Sequence, residues 1–129
     1  MEKAAAELGF GLTGMDNVSA VQACDVIILT VPFSAHASTL ATIAPHVGDK
    51  LVVDTTVPLV PPKVMRVQLP EEGSAAVRAQ KTLGESATVV SAFHNVGAHR
   101  LATGDAVECD VLVFGDKRDA RERAVSADP

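Results

Sequence analysis

Short apolar runs, rich in Val and Ile, recur along the chain and are bounded by polar or turn-forming residues. Runs of this length predict β-strands rather than helices. The first run lies within residues 24–32 and lacks the alternation of a half-exposed strand, so it predicts a strand buried on both faces. Similar runs at residues 50–55, 88–94 and 110–116 predict three further strands.

Helical patterns lie between these runs. Pro32 closes the first run, and Ser34 is a possible N-cap of the helix that follows, which a turn over residues 45–49 ends. Other helices are predicted over residues 2–8, from Asp16 through Ala23, and over residues 74–83 and 117–127, with a loop or short helix over residues 96–101. This alternation predicts an α/β fold with a Rossmann-like doubly wound, mostly parallel sheet.

Residues 9–14 read GFGLTG and match the G-x-G-x-x-G spacing of a dinucleotide-binding loop. That loop requires a strand before it and an acidic residue at the end of a second strand. Here a charged helical segment precedes the match, and Asp25 stands before a strand rather than after one. We therefore interpret the match as a glycine-rich turn from a helix to a strand.

Composition narrows the class of protein. The chain of 129 residues is 47% hydrophobic but only 3% aromatic, so its core must be aliphatic. A net charge of −5 disfavours a nucleic-acid partner. Cys24 and Cys109 lack metal-ligand spacing and suggest two buried thiols of a reduced intracellular protein. Without a membrane-length apolar run or a signal peptide, we expect a cytoplasmic location and no membrane partner.

Candidate chemistry concentrates where the predicted strands end, because ligands of open α/β sheets bind beyond the carboxyl ends of the strands. Three such ends, at residues 30–32, 55–58 and 94–98, carry mostly small and apolar residues. The proline-rich residues 57–62 form either a wall for a planar ligand or a plain linker. His36 and His94 lie at the same edge, and for each a ligand contact and a merely exposed histidine stay open. Asp54 could cap its loop or reach a ribose hydroxyl.

Several catalytic classes lack their motifs. No P-loop is present, and no G-x-S-x-G elbow surrounds Ser91, which disfavours a hydrolase. Strand ends that offer backbone amides and apolar contact suit hydride transfer, where the cofactors supply the reactivity and the protein positions two rings.

Five segments, at residues 13–17, 23–25, 29–32, 57–61 and 89–96, resemble the NADPH-dependent reductases of the deazaflavin coenzyme F420. Their order and spacing agree from about residue 4 to residue 119. Residues 25–32 alone are shared with the wider group that includes pyrroline-5-carboxylate reductase and 6-phosphogluconate dehydrogenase.

The resemblance implies a Rossmann fold in which NADP(H) and coenzyme F420 stack face to face. From the lack of metal-ligand spacing we expect no metal. It implies a deazaflavin-side wall at residues 94–96, where backbone amides or an imidazole approach the ring carbonyls. His36 would replace a family histidine at position 35. The residues expected to contact the nicotinamide nucleotide are Val31, Ala35, Val57 and Ala98, those of the wall are His94, Asn95 and Val96, and Thr30, Pro32, His36 and Pro58 complete the cofactor-binding set.

In that family an opening strand and a glycine-rich phosphate loop come before the position of Met1. We therefore expect residues 1–129 to be a partial NADP-binding Rossmann domain with a truncated C-terminal helix, inactive alone and a possible homodimer at full length. Two alternatives stay open. One is another dehydrogenase of the wider group, acting on an imine or a hydroxy acid, and the other is a non-enzymatic, relic nucleotide-binding domain.

Overall fold

The computed structural model of the protein describes residues 2–62 and 66–126, without the side chains of Glu2 and Ala4. Within these residues, three strands form a parallel sheet in the order β1 (Val26–Leu29), β2 (Leu51–Asp54), β3 (Thr88–Ser91). The helices are α1 (Glu2–Leu8), α2 (Asn17–Ala23), α3 (Phe33–Val47), α4 (Ala75–Leu83), α5 (Ala98–Leu101) and α6 (Arg118–Ser126).

Helices cover both faces of the sheet. On one face α2, α3 and α4 cover the sheet around a core that includes Leu40, Ile43 and Val52, with α4 packed against β2 and β3. On the other face α6 packs against β2 and β3 through Ala120 and Ala124, with Val53 and Val90 beneath them. This layered arrangement confirms the predicted α/β fold.

The prediction of a strand buried on both faces is correct for β2 and wrong for β1. All four residues of β2 are buried, because it is the central strand. In β1 the side chain of Ile28 is 55% exposed. Ile28 lies on the same face as α6, which packs mainly against β2 and β3 rather than over β1.

Two helix starts show different capping. Asp16 caps α2 as predicted, since its Oδ1 accepts hydrogen bonds from the backbone nitrogens of Val18 and Ser19 at 3.0 Å. Ser34 is not the N-cap of α3, because α3 begins at Phe33 with Pro32 as a cap that makes no side-chain hydrogen bond.

The predicted turn at residues 45–49 is also wrong in part. Helix α3 continues through the exposed Pro45 to the fully buried Val47, and Gly48, with φ at +60°, ends it. Val47 packs in the core with Leu40 and Ile43, and this burial stabilises the last turn of α3. For α6, the predicted end at Ala127 lies outside the described residues.

Residues 110–116 do not form the predicted fourth strand. They meet β3 through one antiparallel bridge between Ser91 and Phe114. Because this bridge is single and antiparallel, the segment does not extend the parallel ladder of β1, β2 and β3. The segment packs through Val111 and Val113 against the α6 side of the sheet instead.

Two smaller predictions are corrected. The GFGLTG segment joins α1 to α2 rather than to a strand. Cys109 is exposed and Cys24 half-buried, so the two thiols are not both buried. No helix in the described part of the chain is long and apolar enough to cross a membrane.

Candidate functional site

The three strands end at the same edge of the sheet. The parallel register aligns Leu29, Asp54 and Ser91, the last residues of β1, β2 and β3. The loops that leave this edge are tied together, since the backbone nitrogen and the hydroxyl of Thr55 donate to the Leu29 carbonyl oxygen at 3.1 and 3.0 Å. The loop after β2 is therefore held against the end of β1.

A cleft of about 710 Å³ opens beside the ends of β2 and β3. Its floor is mainly apolar, and its polar groups are few. Of the predicted cofactor-binding residues, Val57, Pro58 and His94 line it. Thr56, from the strand end predicted at residues 55–58, also lines it. The remaining lining residues are not predicted from the sequence and come from the segment before α4, from α4 and β3, and from the segment before α6: Val67, Leu69, Ser74, Ala75, Ala76, Val77, Gln80, Lys81, Val89, Ser91, Phe114, Gly115 and Asp116.

The other predicted residues lie outside this lining. At the end of β1, Thr30 and Pro32 are exposed and Val31 and Ala35 are half-buried. After β3, Asn95 and Ala98 are exposed and Val96 is half-buried. Asn95 uses its side-chain amide to donate to the Asp110 carbonyl oxygen at 2.9 Å. The cleft thus joins the ends of β2 and β3, while the end of β1 borders them on the same edge.

The two alternatives stated for His36 need correction. Its imidazole is 0% exposed, so it is not a surface histidine, and no direct contact with a cofactor ring is open to it in this structure. It lies 2.8 Å from Asp54 through Nε2, which donates to Oδ2. Nδ1 has no hydrogen-bond partner among the described residues. The start of α3 and the end of β2 are brought together by the crossover, and this pairing was not recognised from the sequence.

Asp54 is the centre of a buried polar cluster. Besides His36, it accepts a hydrogen bond at Oδ1 from the backbone nitrogen of Thr56 at 2.9 Å, so the predicted capping role is correct. Burial alone would raise the pKa of Asp54, but the hydrogen bonds from His36 and Thr56 outweigh it and hold the pKa below its usual value. The Asp54 carboxylate therefore stays ionised at neutral pH, and its hydrogen bond to Thr56 fixes the loop that carries Val57 into the cleft.

His94 lies on the wall of the cleft, three residues beyond the end of β3. Its Nε2 is 2.8 Å from Ser91 Oγ, and its ring is tilted by 54° against the ring of Phe114, with centroids 6.4 Å apart. The strand predicted over residues 88–94 ends at Ser91, so His94 is in the loop and exposed.

Helix α4 forms the opposite wall. Ser74 caps it by accepting from the Val77 backbone nitrogen at 3.1 Å. Gln80 links α4 to β3, because its amide nitrogen donates to the Gly84 and Ala87 carbonyls and its oxygen accepts from the Val89 nitrogen. Across residues 2–62 and 66–126, no group of His, Cys, Asp and Glu side chains is arranged to hold a metal ion.

Comparisons with known proteins show similarity to reductases. The family profile described as NADP oxidoreductase, coenzyme F420-dependent, matches residues 1–58. The F420-dependent NADP reductase of Methanothermobacter thermautotrophicus is 42% identical over 116 residues, which cover 86% of this chain and 50% of that protein. This chain is similar to the coenzyme F420-dependent NADP oxidoreductases. The F420-dependent NADP reductase of Methanocaldococcus jannaschii is 36% identical over 115 residues, 86% of this chain and 51% of that protein.

A crystal structure from Arthrobacter sp. FB24, a candidate F420-dependent NADP reductase, superimposes with a TM-score of 0.66. The match covers 87% of this chain and 53% of that one, at 21% identity, so it concerns the fold alone. The chain spans about half the length of the curated family members that it matches.

Proposed function

We propose that the protein transfers a hydride between NADPH and coenzyme F420. The observation that carries the proposal is the 42% identity, over 86% of this chain, to a protein named F420-dependent NADP reductase. The chain spans about half of that protein.

The cleft supports this function by its shape and lining. Sites for planar ligands are concave and mostly apolar, with a few polar groups that fix orientation. The cleft fits that description, since Val57, Pro58 and Val89 supply apolar surface and His94 supplies a polar group at its wall. The two bound coenzymes would supply the hydride chemistry, and the chain would hold their rings and exclude water.

Within this proposal, His94 and the backbone of Asn95 and Val96 contact the deazaflavin. Val57 and Pro58 meet the rings from the β2 side. Val31, Ala35, Val57 and Ala98 contact the nicotinamide nucleotide along the same edge, and Thr30 and Pro32 belong to the same cofactor-binding set. His36 acts only indirectly, because its buried ring fixes Asp54 and the loop that follows.

We further propose that residues 1–129 form a partial NADP-binding Rossmann domain with small-molecule cofactors as partners. A cytoplasmic location and a homodimer of the full-length protein belong to the same proposal. The similarity to F420-dependent NADP reductases supports the choice of partners.

The proposal is tested by following NADPH and coenzyme F420 by absorbance, using the protein expressed from its whole reading frame. We expect NADPH to be consumed only when oxidised F420 is present, and F420 to be reduced in equal amount. Turnover of an imine or a hydroxy acid without F420 would instead indicate the wider dehydrogenase group. Binding of NADPH without turnover of any of these substrates would indicate a non-enzymatic nucleotide-binding domain.

A further inference from the structure

Ser91 and His94 form a hydrogen-bonded pair at the wall of the cleft. His94 Nε2 lies 2.8 Å from Ser91 Oγ, and Ser91 Oγ lies 3.3 Å from the carbonyl oxygen of Asp54. A serine hydroxyl has one hydrogen to donate, so only one of these two contacts can use it. The direction of the two bonds decides which nitrogen of His94 carries a hydrogen.

One arrangement turns both contacts into hydrogen bonds. The Asp54 carbonyl oxygen only accepts, so Ser91 donates to it, and Ser91 Oγ then accepts from a hydrogen on His94 Nε2. In the reverse arrangement Ser91 donates its hydrogen to His94 Nε2. Ser91 Oγ then has no hydrogen left to donate to the Asp54 carbonyl oxygen, so two acceptors face each other. That arrangement loses a hydrogen bond in a half-buried position, so the first is favoured.

The rest of the loop holds this pair in place. The backbone nitrogen and carbonyl of Ser91 both bond to Phe114 at 2.8 Å, which fixes the serine on the sheet. Phe93 has φ at +63°, a conformation that bulky residues rarely adopt and that turns the chain so that His94 faces back towards Ser91. In the described residues, Nδ1 of His94 makes no hydrogen bond and is left for a ligand or water.

We propose that Ser91 is a positioning residue that holds His94 as its Nε2–H tautomer, so that the neutral ring offers Nδ1 to the cleft as a hydrogen-bond acceptor. The ligand group recognised by the imidazole is then a ring N–H or a hydroxyl rather than a ring carbonyl. The identity of the ligand rests on the proposed function, whereas the tautomer rests on the geometry alone.

Nitrogen-15 NMR of the histidine rings at about pH 8.5 tests the tautomer, because a nitrogen with a hydrogen and one without resonate far apart. We expect wild-type His94, assigned by its loss in His94→Gln, to carry its hydrogen on Nε2. Ser91→Ala is expected to give a mixture of both tautomers, and Ser91→Thr, which keeps the hydroxyl, the wild-type pattern. Ser38→Ala is the matched control, since Ser38 is exposed and its hydroxyl bonds only the Ala35 carbonyl oxygen.

A hydrogen on Nδ1 in the wild-type chain would overturn the proposal without any variant. A Ser91→Ala spectrum with the wild-type pattern would overturn the role of Ser91, provided that the variant melts cooperatively.

Binding then tests the recognition step separately. We expect Ser91→Ala to weaken F420 binding about twofold, because only about half of the free protein then carries the competent tautomer, with NADP binding unchanged and Ser91→Thr close to wild type. Equal binding of F420 by wild type and Ser91→Ala would overturn the part played by Nδ1. An Nε2–H tautomer in a wild-type protein that binds no F420 would support the positioning role and refute the proposed function.

Discussion

At the scale of single residues, Asp54 connects the buried interior to the candidate site. Its carboxylate accepts hydrogen bonds from the imidazole of His36 and the backbone nitrogen of Thr56, and its backbone carbonyl oxygen accepts one from the hydroxyl of Ser91. The side chain of Asp54 is fully buried, and a buried carboxylate is stable only when its oxygens are hydrogen-bonded. Because these bonds join α3, β2 and β3, the stability of the edge and the placement of the cleft loops depend on the same ionised group.

The lowered pKa of Asp54 predicts a dependence of stability on pH. A carboxyl with a depressed pKa in the folded chain stabilises the fold at pH values above its ordinary value of 3.8, and this contribution is lost as the pH falls further. We expect Asp54→Asn to lower the free energy of unfolding by about 1–3 kcal/mol at neutral pH. The difference from wild type should shrink below about pH 3.8, in urea denaturation followed by circular dichroism.

Asp105→Asn is the control for this comparison, since Asp105 is exposed and outside the buried cluster. Its unfolding free energy should stay within about 0.5 kcal/mol of wild type across the same range. A gap between wild type and Asp54→Asn that is constant from neutral to acid pH would show that the ionisation of Asp54 does not stabilise the fold.

At the scale of elements, the sequence pattern correctly predicts the helices and strands that belong to the alternation of strands and helices along the chain. The capped α2, the apolar β2 and the helix after Ser74 are all found close to their predicted bounds. Residues 110–116 show the same apolar content as the strands, yet they make only one bridge to β3. A strand depends on a partner in register, and a sequence pattern alone does not reveal whether that partner is present.

Small side chains set how closely the helices approach the sheet. Ala79 of α4 is 0% exposed and belongs to the core between α4 and the sheet. We expect Ala79→Leu to overpack this contact and to lower the free energy of unfolding by about 1–3 kcal/mol, measured by urea denaturation. Ala41→Leu on the exposed side of α3 is the matched control, with a change within about 0.5 kcal/mol. Equal losses in both variants would mean that helix packing is not limited by the size of Ala79.

At the scale of the whole molecule, the edge of the site was predictable and its walls were not. Alternation of strands and helices implies a parallel sheet, and this places residues 30–32, 55–58 and the start of the loop after β3 at one edge. The cleft also needs α4 and the segments before α4 and α6, which lie far from those residues in sequence. His36 is close to the edge in sequence but buried beneath it, because Asp54 offers its imidazole a partner in the interior.

Ligand binding at this edge should stabilise the whole chain, because a ligand that binds only the folded state shifts the unfolding equilibrium. At about 100 times its Kd, coenzyme F420 should add about 2.7 kcal/mol and raise Tm by about 10 °C, measured by thermal denaturation. His94→Ala should reduce the shift caused by F420 but leave that caused by NADP. His46→Ala, at the far end of α3 and outside the cleft lining, should keep both shifts. If His94→Ala reduced the Tm shifts of F420 and NADP equally, His94 would contact both coenzymes rather than F420 alone. If His94→Ala kept the full Tm shift with F420, His94 would not contact the deazaflavin.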